Sequence, residues 1–227
     1  MEASLKRAIQ FYEQGRYEQA KLELLSIPQK PETNTLLAYY LGLTYTKLEE
    51  YQKAIPLLEY VILNHKNIFY IFQCRMLLGL IYTFSKQYPL AEIELRSLLK
   101  LGLESPQVYT SLGYVLYEQQ KTSEGIECFK KALSLKPNYP SALNNLSFIY
   151  AEEGSDLKTA LEYARQVYKL YPENPIYLDT LGWVYFKMGN LESALTYLRQ
   201  ALDKAKNNRE IALHIKCVLA AKEKLKK

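Results

Sequence analysis

The stretch LGWVYFKMGNLESALTYL at residues 181–198 decides the fold, because the chain repeats it. Counterparts occur at 41–58, 78–95 and 112–129, with weaker ones at 7–24 and 146–164. A small residue near the start of each copy falls at Ala8, Gly42, Gly79, Gly113, Ser147 and Gly182, and a second falls at Ala20, Ala54, Ala91, Gly125, Ala160 and Ala194. The steps in the first series are 34, 37, 34, 34 and 35 residues. A period near 34 predicts an array of helical repeats.

Each copy holds two apolar stripes of helical period, separated by turn residues such as Gly15, Gly154 and Gly189. Each repeat is therefore predicted to be a helix hairpin. Glycine inside a helix costs about 1 kcal/mol relative to alanine, so its return at one place predicts a close helix contact. We expect the small residue twelve positions later to meet it.

These residues resemble the tetratricopeptide repeat family. The fourth copy matches the family pattern at Leu112, Gly113, Leu116, Gly125, Phe129, Ala132 and Pro137, and the sixth at Leu181, Gly182, Tyr185, Ala194, Leu198 and Ala201. The sequence of residues 141–202 also resembles repeats of bacterial proteins. The resemblance implies an all-α fold, a right-handed α-solenoid (superhelix) of antiparallel helix hairpins of the tetratricopeptide type.

The repeats predict a single domain over residues 1–227. Their expected bounds are 1–34, 35–71, 72–105, 106–139, 140–174 and 175–208, followed by a capping helix at 209–227. The 37-residue step adds about one helical turn near Leu63–Phe72. The last apolar stripe consists of Ile211, Ile215, Val218, Leu219 and Leu225. Such a stripe predicts a helix that covers the final apolar face of the array.

Composition narrows the class of protein. The chain has 227 residues, 48% hydrophobic and 23% charged, which is globular, and its net charge of +5 is dispersed. Cys74, Cys128 and Cys217 are far apart, which predicts free thiols in a reducing compartment. No apolar run approaches the roughly 20 residues that cross a bilayer, so no membrane insertion is expected. We predict a cytoplasmic location, with a periplasmic or envelope-associated one as the alternative if a leader has been removed.

Catalytic chemistry has no support in the sequence. His65 and His214 are the only histidines and lie in different repeats, and no Cys/His set has metal-ligand spacing. No Gly-rich phosphate loop or nucleophile elbow occurs. The prediction is a protein that is not an enzyme and has no catalytic, cofactor or metal residues.

The resemblance implies a concave groove lined by fixed positions of the first helices. These positions hold Tyr39, Leu43, Gln73, Met76, Leu80, Thr110, Tyr114, Tyr117, Asn144, Asn145, Phe148, Asp179, Trp183 and Phe186. We expect about half of the apolar ones to be buried between repeats. The remainder predict an aromatic-rich, partly polar groove, centred on the third to sixth repeats. The predicted function is a scaffold or adaptor that binds a partner protein there, as an extended peptide or an amphipathic helix.

One partner of related proteins is not expected. Co-chaperones of this family hold a peptide carboxylate with a clamp of lysines, asparagines and an arginine. Asn145 matches one clamp position, but the others are Thr110, Tyr114, Ile176 and Thr180. The cationic clamp is therefore missing.

Two other functions remain open. Leu5 and Ile9 of the first helix could pack against another copy, which predicts a homo-oligomer formed through the N-terminal repeat. Nucleic-acid binding rests on the net charge, Lys136, exposed tyrosines and the basic end Lys222–Lys227. The dispersed charges favour a protein partner over nucleic acid.

Overall fold

The computed structural model describes residues 2–225; Met1 and the last two lysines of the basic end, Lys226 and Lys227, lie outside the described residues. Within residues 2–225 the chain forms thirteen α-helices, a short 3-10 helix at Pro31–Thr33 and no strand. The all-α prediction is confirmed. The structure divides into two compact units that meet between Gly125 and Ile126.

The first unit contains α1 to α7. Their bounds are α1 Glu2–Glu13, α2 Tyr17–Leu25, α3 Thr35–Lys47, α4 Tyr51–Asn64, α5 Ile68–Phe84, α6 Tyr88–Lys100 and α7 Pro106–Glu118. Helices α1, α3 and α5 each pack against the helix that follows them. The odd-numbered helices, here called first helices, also contact one another, α1 with α3, α3 with α5, and α5 with α7. This pattern is that of stacked hairpins.

The second unit follows the same plan. After α8 Thr122–Leu135, which spans the boundary, come α9 Pro140–Glu153, α10 Leu157–Leu170, α11 Pro175–Lys187, α12 Leu191–Lys204 and α13 Arg209–Lys224. Helix α9 packs on α10, and α11 packs on α12. Among the first helices of this unit, α9 contacts α11 and α11 contacts α13. Each unit is thus built of stacked helix hairpins.

The starts of the first helices follow from local sequence. Asn34, Asn67, Asn174 and Asn208 precede α3, α5, α11 and α13, and each side chain accepts hydrogen bonds from backbone N–H groups of the first turn. Such capping contributes about 1 kcal/mol per helix. Proline stands at the first position of α7, α9 and α11, where no N–H is needed. These signals fix where each hairpin begins.

The recurrent glycine lies at the crossing of the two helices in a hairpin. A Cβ at Gly42 would come 2.8 Å from Leu58 Cδ2, and one at Gly182 would come 2.7 Å from Leu198 Cγ. The nearest atom at both glycines therefore belongs to a leucine sixteen positions later, which corrects the expected contact with the residue twelve positions later. The leucine atoms are nearest because the longer leucine side chain reaches across the crossing. The Ala194 carbonyl oxygen is also close, at 3.1 Å from a Cβ at Gly182.

The twelve-residue contact does occur in the fourth repeat. A Cβ at Gly125 would lie 2.9 Å from the Gly113 carbonyl oxygen. In α9 the small residue is Ser147, whose buried hydroxyl donates to the Ala160 carbonyl oxygen at 2.7 Å. A small polar residue thus links the two helices directly where glycine is missing.

Helix α5 is longer than its neighbours. It has 17 residues, against 13 in α3 and in α7. It begins eleven residues before Gly79, whereas α3 begins seven before Gly42. The additional turn predicted from the 37-residue step therefore lies at the N-terminal end of α5, in residues 68–71.

Helix α13 covers the apolar side of α12. Val218 packs with Ala194, Leu195 and Leu198, and Ile215 lies against the same cluster. Ile211 joins Leu178 and Ala201 in a second cluster. The predicted stripe is only partly used, because Leu219 and Leu225 are exposed. Leu219 follows the packed Val218 in the sequence but is exposed, and Leu225 follows the last residue of α13.

Candidate functional site

The predicted groove residues divide by burial. Tyr39, Thr110, Asn144 and Trp183 are buried, whereas Leu80 and Tyr114 are exposed. The other members are half-buried: Leu43, Gln73, Met76, Tyr117, Asn145, Phe148, Asp179 and Phe186. Those from Tyr39 to Tyr117 belong to the first unit, and those from Asn144 to Phe186 to the second.

In the first unit an apolar band runs along α5. The α5 band consists of Ile68, Phe72, Met76, Leu80 and Phe84. Its members are one helical turn apart, so neighbouring side chains adjoin. Leu80 is 44% exposed and Phe84 is 64% exposed, while Phe72 and Met76 are half-buried. The exposed members are therefore Ile68 at the start of the band and Leu80 and Phe84 at its end.

Of this band, only Met76 and Leu80 occupy the groove positions predicted from the repeat pattern. Ile68 lies in the additional turn, before the position where the repeat pattern starts, and Phe84 lies one residue past its last groove position. The four-residue spacing of large apolar side chains was the signal that could have identified the band.

Neighbouring first helices extend this surface. Helix α3 adds exposed Leu36 and half-buried Leu43, and α7 adds exposed Tyr114. Helix α5 contacts both α3 and α7, so these residues belong to adjacent first helices. Every predicted groove residue of this unit is uncharged, so the surface favours apolar and neutral polar ligand groups.

Aromatic rings gather where α3 meets the additional turn of α5. We call Tyr39, Tyr40, Phe69 and Tyr70 the aromatic cluster. The Tyr39 and Tyr70 ring centroids are 4.7 Å apart at 89°, an edge-to-face contact. Tyr40 lies 5.2 Å from Tyr39, and Phe69 lies 5.6 Å from Tyr70. The rings therefore hold one another in place across two repeats.

Two tyrosines of the aromatic cluster have a raised pKa. Burial raises the pKa of Tyr39 and of Tyr40, and the nearby Tyr70 phenol and Glu13 carboxylate raise the pKa of Tyr40 further. Burial also raises the pKa of Tyr12 on α1, with Tyr17 and Tyr40 adding to the shift. These hydroxyls consequently remain neutral hydrogen-bond donors.

In the second unit, two predicted groove residues hold α13. The Trp183 ring stacks on His214 at 4.1 Å between centroids, and Asp179 Oδ1 lies 2.9 Å from His214 Nδ1. The Trp183 indole N–H also donates to Glu152. Asp179 and Trp183 are therefore engaged within the protein, between α11 and α13.

Two further predicted groove residues of the second unit, Phe186 and Asn145, also make contacts within the protein. Phe186 lies 4.9 Å from the Trp183 ring, and the Asn145 amide donates to the Ser141 carbonyl oxygen at 2.7 Å. Thr110, in the first unit, differs: its hydroxyl is buried and has no hydrogen-bond partner within residues 2–225.

The described residues, 2–225, contain neither a metal-binding group nor a membrane-spanning helix. In that part of the chain, no group of three or more His, Cys, Asp or Glu side chains could hold a metal ion. None of the helices described is long and apolar enough to span a bilayer. The exposed apolar surface of the first unit is thus the candidate site.

Stacked helix hairpins with an open apolar surface on their first helices define a helical-repeat scaffold. The repeats themselves belong to a known family: the family described as "TPR repeat" matches residues 113–154, and "Tetratricopeptide repeat" matches residues 175–208. The chain therefore contains tetratricopeptide repeats over these two segments, and repeats of this kind support a protein-interaction scaffold.

Curated relatives are much longer than this chain and match it over a part of their length. A TPR repeat-containing protein of Pseudomonas aeruginosa is 34% identical over 83 residues, 37% of this chain and 14% of the relative. The human cell division cycle protein 16 homolog is 29% identical over 140 residues, 55% of this chain and 22% of the relative. The Drosophila melanogaster protein O-mannosyl-transferase Tmtc3 is 29% identical over 122 residues, 53% of this chain and 13% of the relative. The chain thus spans less than a quarter of each.

Solved structures share the fold at low identity. The Cut9 and Hcn1 hetero-tetramer of APC/C matches with a TM-score of 0.76 and 18% identity, over 95% of this chain and 42% of that one. YrrB, described as a TPR protein with an unusual peptide-binding site, matches with a TM-score of 0.57 and 21% identity, over 81% of this chain and 92% of that one.

Proposed function

We propose that this chain is a non-enzymatic scaffold that binds a segment of a partner protein along the first helices of its first unit. The observation that supports this proposal most directly is the α5 band. Its Leu80 and Phe84 side chains are exposed, on a helix that is rich in apolar residues. Covering apolar surface is favourable by roughly 25 cal/mol per Å². Contiguous exposed patches of this kind commonly mark protein interaction sites.

The proposed binding surface lies in the N-terminal half of the range predicted for the groove. In the sixth repeat, Trp183 and Asp179 contact His214 of α13 and are less available to a partner. In the third and fourth repeats, Leu80 and Tyr114 are exposed. The peptide-binding site named for YrrB supports binding by this fold, although it is a property of that protein.

Catalysis is not part of the proposal. The transferase named among the relatives matches over only 13% of its length, so its activity is not transferred to this chain. His214, one of the two histidines, is stacked and hydrogen-bonded inside the second unit. A cytoplasmic location stays a prediction.

The test is a pull-down from native lysate with the wild-type chain and a double variant, Leu80→Ser with Phe84→Ser. The control is Leu63→Ser with Ile93→Ser on the second helices α4 and α6, since these side chains are 82% and 57% exposed. We expect wild type and control to retain a partner that the first variant loses. Equal retention by all three folded chains would place binding elsewhere and contradict the proposal.

Self-association is a second candidate, favoured by one observation. Leu22 and Leu25 of α2, in the N-terminal repeat, are exposed. With half-buried Leu5 and Ile9 on α1, they give this repeat an apolar surface. Sedimentation velocity of wild type and of Leu22→Glu with Leu25→Glu tests it. A dimer that the variant converts to monomer supports this candidate, and a monomeric wild type at high micromolar concentration removes it.

A further inference from the structure

The positive charge of the chain is concentrated at its C-terminal end. Residues 199–227 hold nine lysines and arginines against three acidic residues, although the net charge of the whole chain is only +5. The residues before 199 therefore contain slightly more acidic than basic side chains. Helix α13 lies in this basic part, and it packs on α12 and α11. Its outward side is the surface considered next.

One stripe of α13 faces solvent. We call it the α13 stripe, and it consists of Arg209, Leu213, Lys216, Ala220 and Lys224. Its members recur three or four residues apart, so they lie along one side of the helix. All five side chains are exposed, and Leu213, near the middle, is 58% exposed. The stripe is thus a row of cations interrupted by small and apolar side chains.

The cations of the α13 stripe are not neutralised within the protein. None of the three forms an ion pair with a carboxylate within residues 2–225. Lys222, on the side of α13 that meets α12, instead pairs with Glu192 of that helix. By the helical step of about 100° per residue, Glu210 and Glu223 lie at opposite edges of the stripe. The stripe itself contains no carboxylate, so it attracts an extended anionic surface.

The leucines favour one kind of anionic surface. Leu213 lies between two cations of the stripe, and Leu219 and Leu225 are exposed as well. Apolar side chains among cations suit the boundary between the headgroups and the acyl chains of a bilayer. The phosphate backbone of a nucleic acid offers leucine no apolar surface, and the stripe has no aromatic ring on which a base could stack.

We infer that the α13 stripe binds the surface of an anionic lipid bilayer, with α13 lying along the membrane and not crossing it. A stripe on the outside of one helix has no walls that would enclose a peptide, whereas a bilayer surface needs none. Three cations and one central leucine give weak, reversible binding, because stable anchoring requires a second signal. This interaction is additional to partner binding on the α5 band.

The probe is a pair of vesicle preparations, one of phosphatidylcholine alone and one with phosphatidylserine at about one third of the lipid. Co-sedimentation of the full chain with each preparation measures binding. The stripe variant replaces all three cations, Arg209→Gln with Lys216→Gln and Lys224→Gln. Leu213→Ser tests the apolar contribution separately, and circular dichroism establishes that each chain is folded.

The control variant removes the same number of charges from other helices. Its three lysines are exposed and form no ion pair with a carboxylate in the described part of the chain. The control is Lys131→Gln with Lys158→Gln and Lys169→Gln. A difference between the two triple variants therefore reports the position of the charges and not their number.

We expect wild type to bind the anionic vesicles and not phosphatidylcholine alone. Since each cation at an anionic membrane strengthens binding about fivefold, the stripe variant should bind at least about tenfold more weakly. Leu213→Ser should weaken binding about threefold, and the control should stay within about twofold of wild type.

Two results would overturn the inference directly: no binding of wild type to the anionic vesicles, or equal weakening by the stripe variant and the control. A single-stranded oligonucleotide is the competing probe. If wild type binds it in place of vesicles, and the stripe variant loses this binding while Leu213→Ser keeps it, the stripe is a nucleic-acid surface and the inference is wrong.

Discussion

At the scale of single residues, the recurrent glycine is set by available space. The Gly182 position has the Leu198 Cγ at 2.7 Å and the Ala194 backbone oxygen at 3.1 Å. The Gly79 position is less crowded, because the nearest atoms belong to the flexible Leu95 side chain at 3.3 Å. The sequence predicted that these glycines mark a helix crossing. It could not predict which atom would be nearest, since that depends on the reach of the facing side chain.

Substitution by alanine should therefore act differently at the two positions. Gly182→Ala gains about 1 kcal/mol of helix propensity but forces a backbone shift, so we expect a net loss of about 1–3 kcal/mol in unfolding free energy. Gly79→Ala should stay within about 1 kcal/mol of wild type, because Leu95 can move. Urea denaturation measures both. Equal losses at the two positions would show that crowding at the crossing is not the cause.

At the scale of helices, α13 is fixed by polar and aromatic contacts as well as by apolar packing. His214 is buried, stacks on Trp183 and pairs with Asp179. The sequence placed Asp179 and Trp183 in the groove because the repeat pattern identifies a helix face. It does not identify what the next helix brings to that face, and here α13 brings a histidine 35 residues after Asp179.

Removing this histidine should loosen α13. We expect His214→Ala to lower the unfolding free energy by about 2–3 kcal/mol, because it removes a buried ring and leaves Asp179 without this partner. Trp183 is the only tryptophan, so the tryptophan fluorescence reports the change directly. A red shift of the emission is expected. Leu219→Ala, on the exposed part of the same helix, is the control and should leave the emission unchanged.

A carboxylate on α6 joins that helix to the end of α7. Glu92 accepts from Arg96 at 2.6 Å and from Gln119 and Lys121, each at 2.8 Å. Burial by itself would raise the pKa of Glu92, but the hydrogen bonds from Lys121, Arg96 and Gln119 outweigh it and lower the pKa to about 2. The folded state therefore binds this proton more weakly than the unfolded chain, whose carboxyl has a pKa near 4.5.

The lowered pKa of Glu92 makes the stability of the fold depend on pH between about 2 and 4.5. The stabilisation is fully present above about pH 4.5 and is lost as the pH falls toward 2, since protonation then favours the unfolded chain. We expect Glu92→Gln to cost about 1 kcal/mol at pH 7 and to reduce the loss of stability across this window. Thermal unfolding of both chains from pH 7 to pH 2.5 measures it. Identical pH profiles would rule out the Glu92 contribution.

At the scale of the whole molecule, periodicity predicts the architecture better than it predicts the site. The 34-residue period gives the hairpins because every repeat buries the same positions. This periodicity does not predict a role for Phe69 or Phe84. Phe69 lies in an insertion, and Phe84 lies outside the repeated groove positions. Exposure depends on neighbouring helices, which is why Tyr39 is buried although Leu80, at another groove position, is exposed.

The central claim is that a partner protein lies on the α5 band. A photoreactive phenylalanine analogue placed at Leu80 tests it in living cells, with the same analogue at Leu63 on α4 as the control, because both side chains are exposed. We expect a crosslinked partner at position 80 and none at position 63. Crosslinks only at position 63, or at neither position in a folded chain, would contradict it, and a crosslink from position 80 to a second copy would identify the partner as this protein itself.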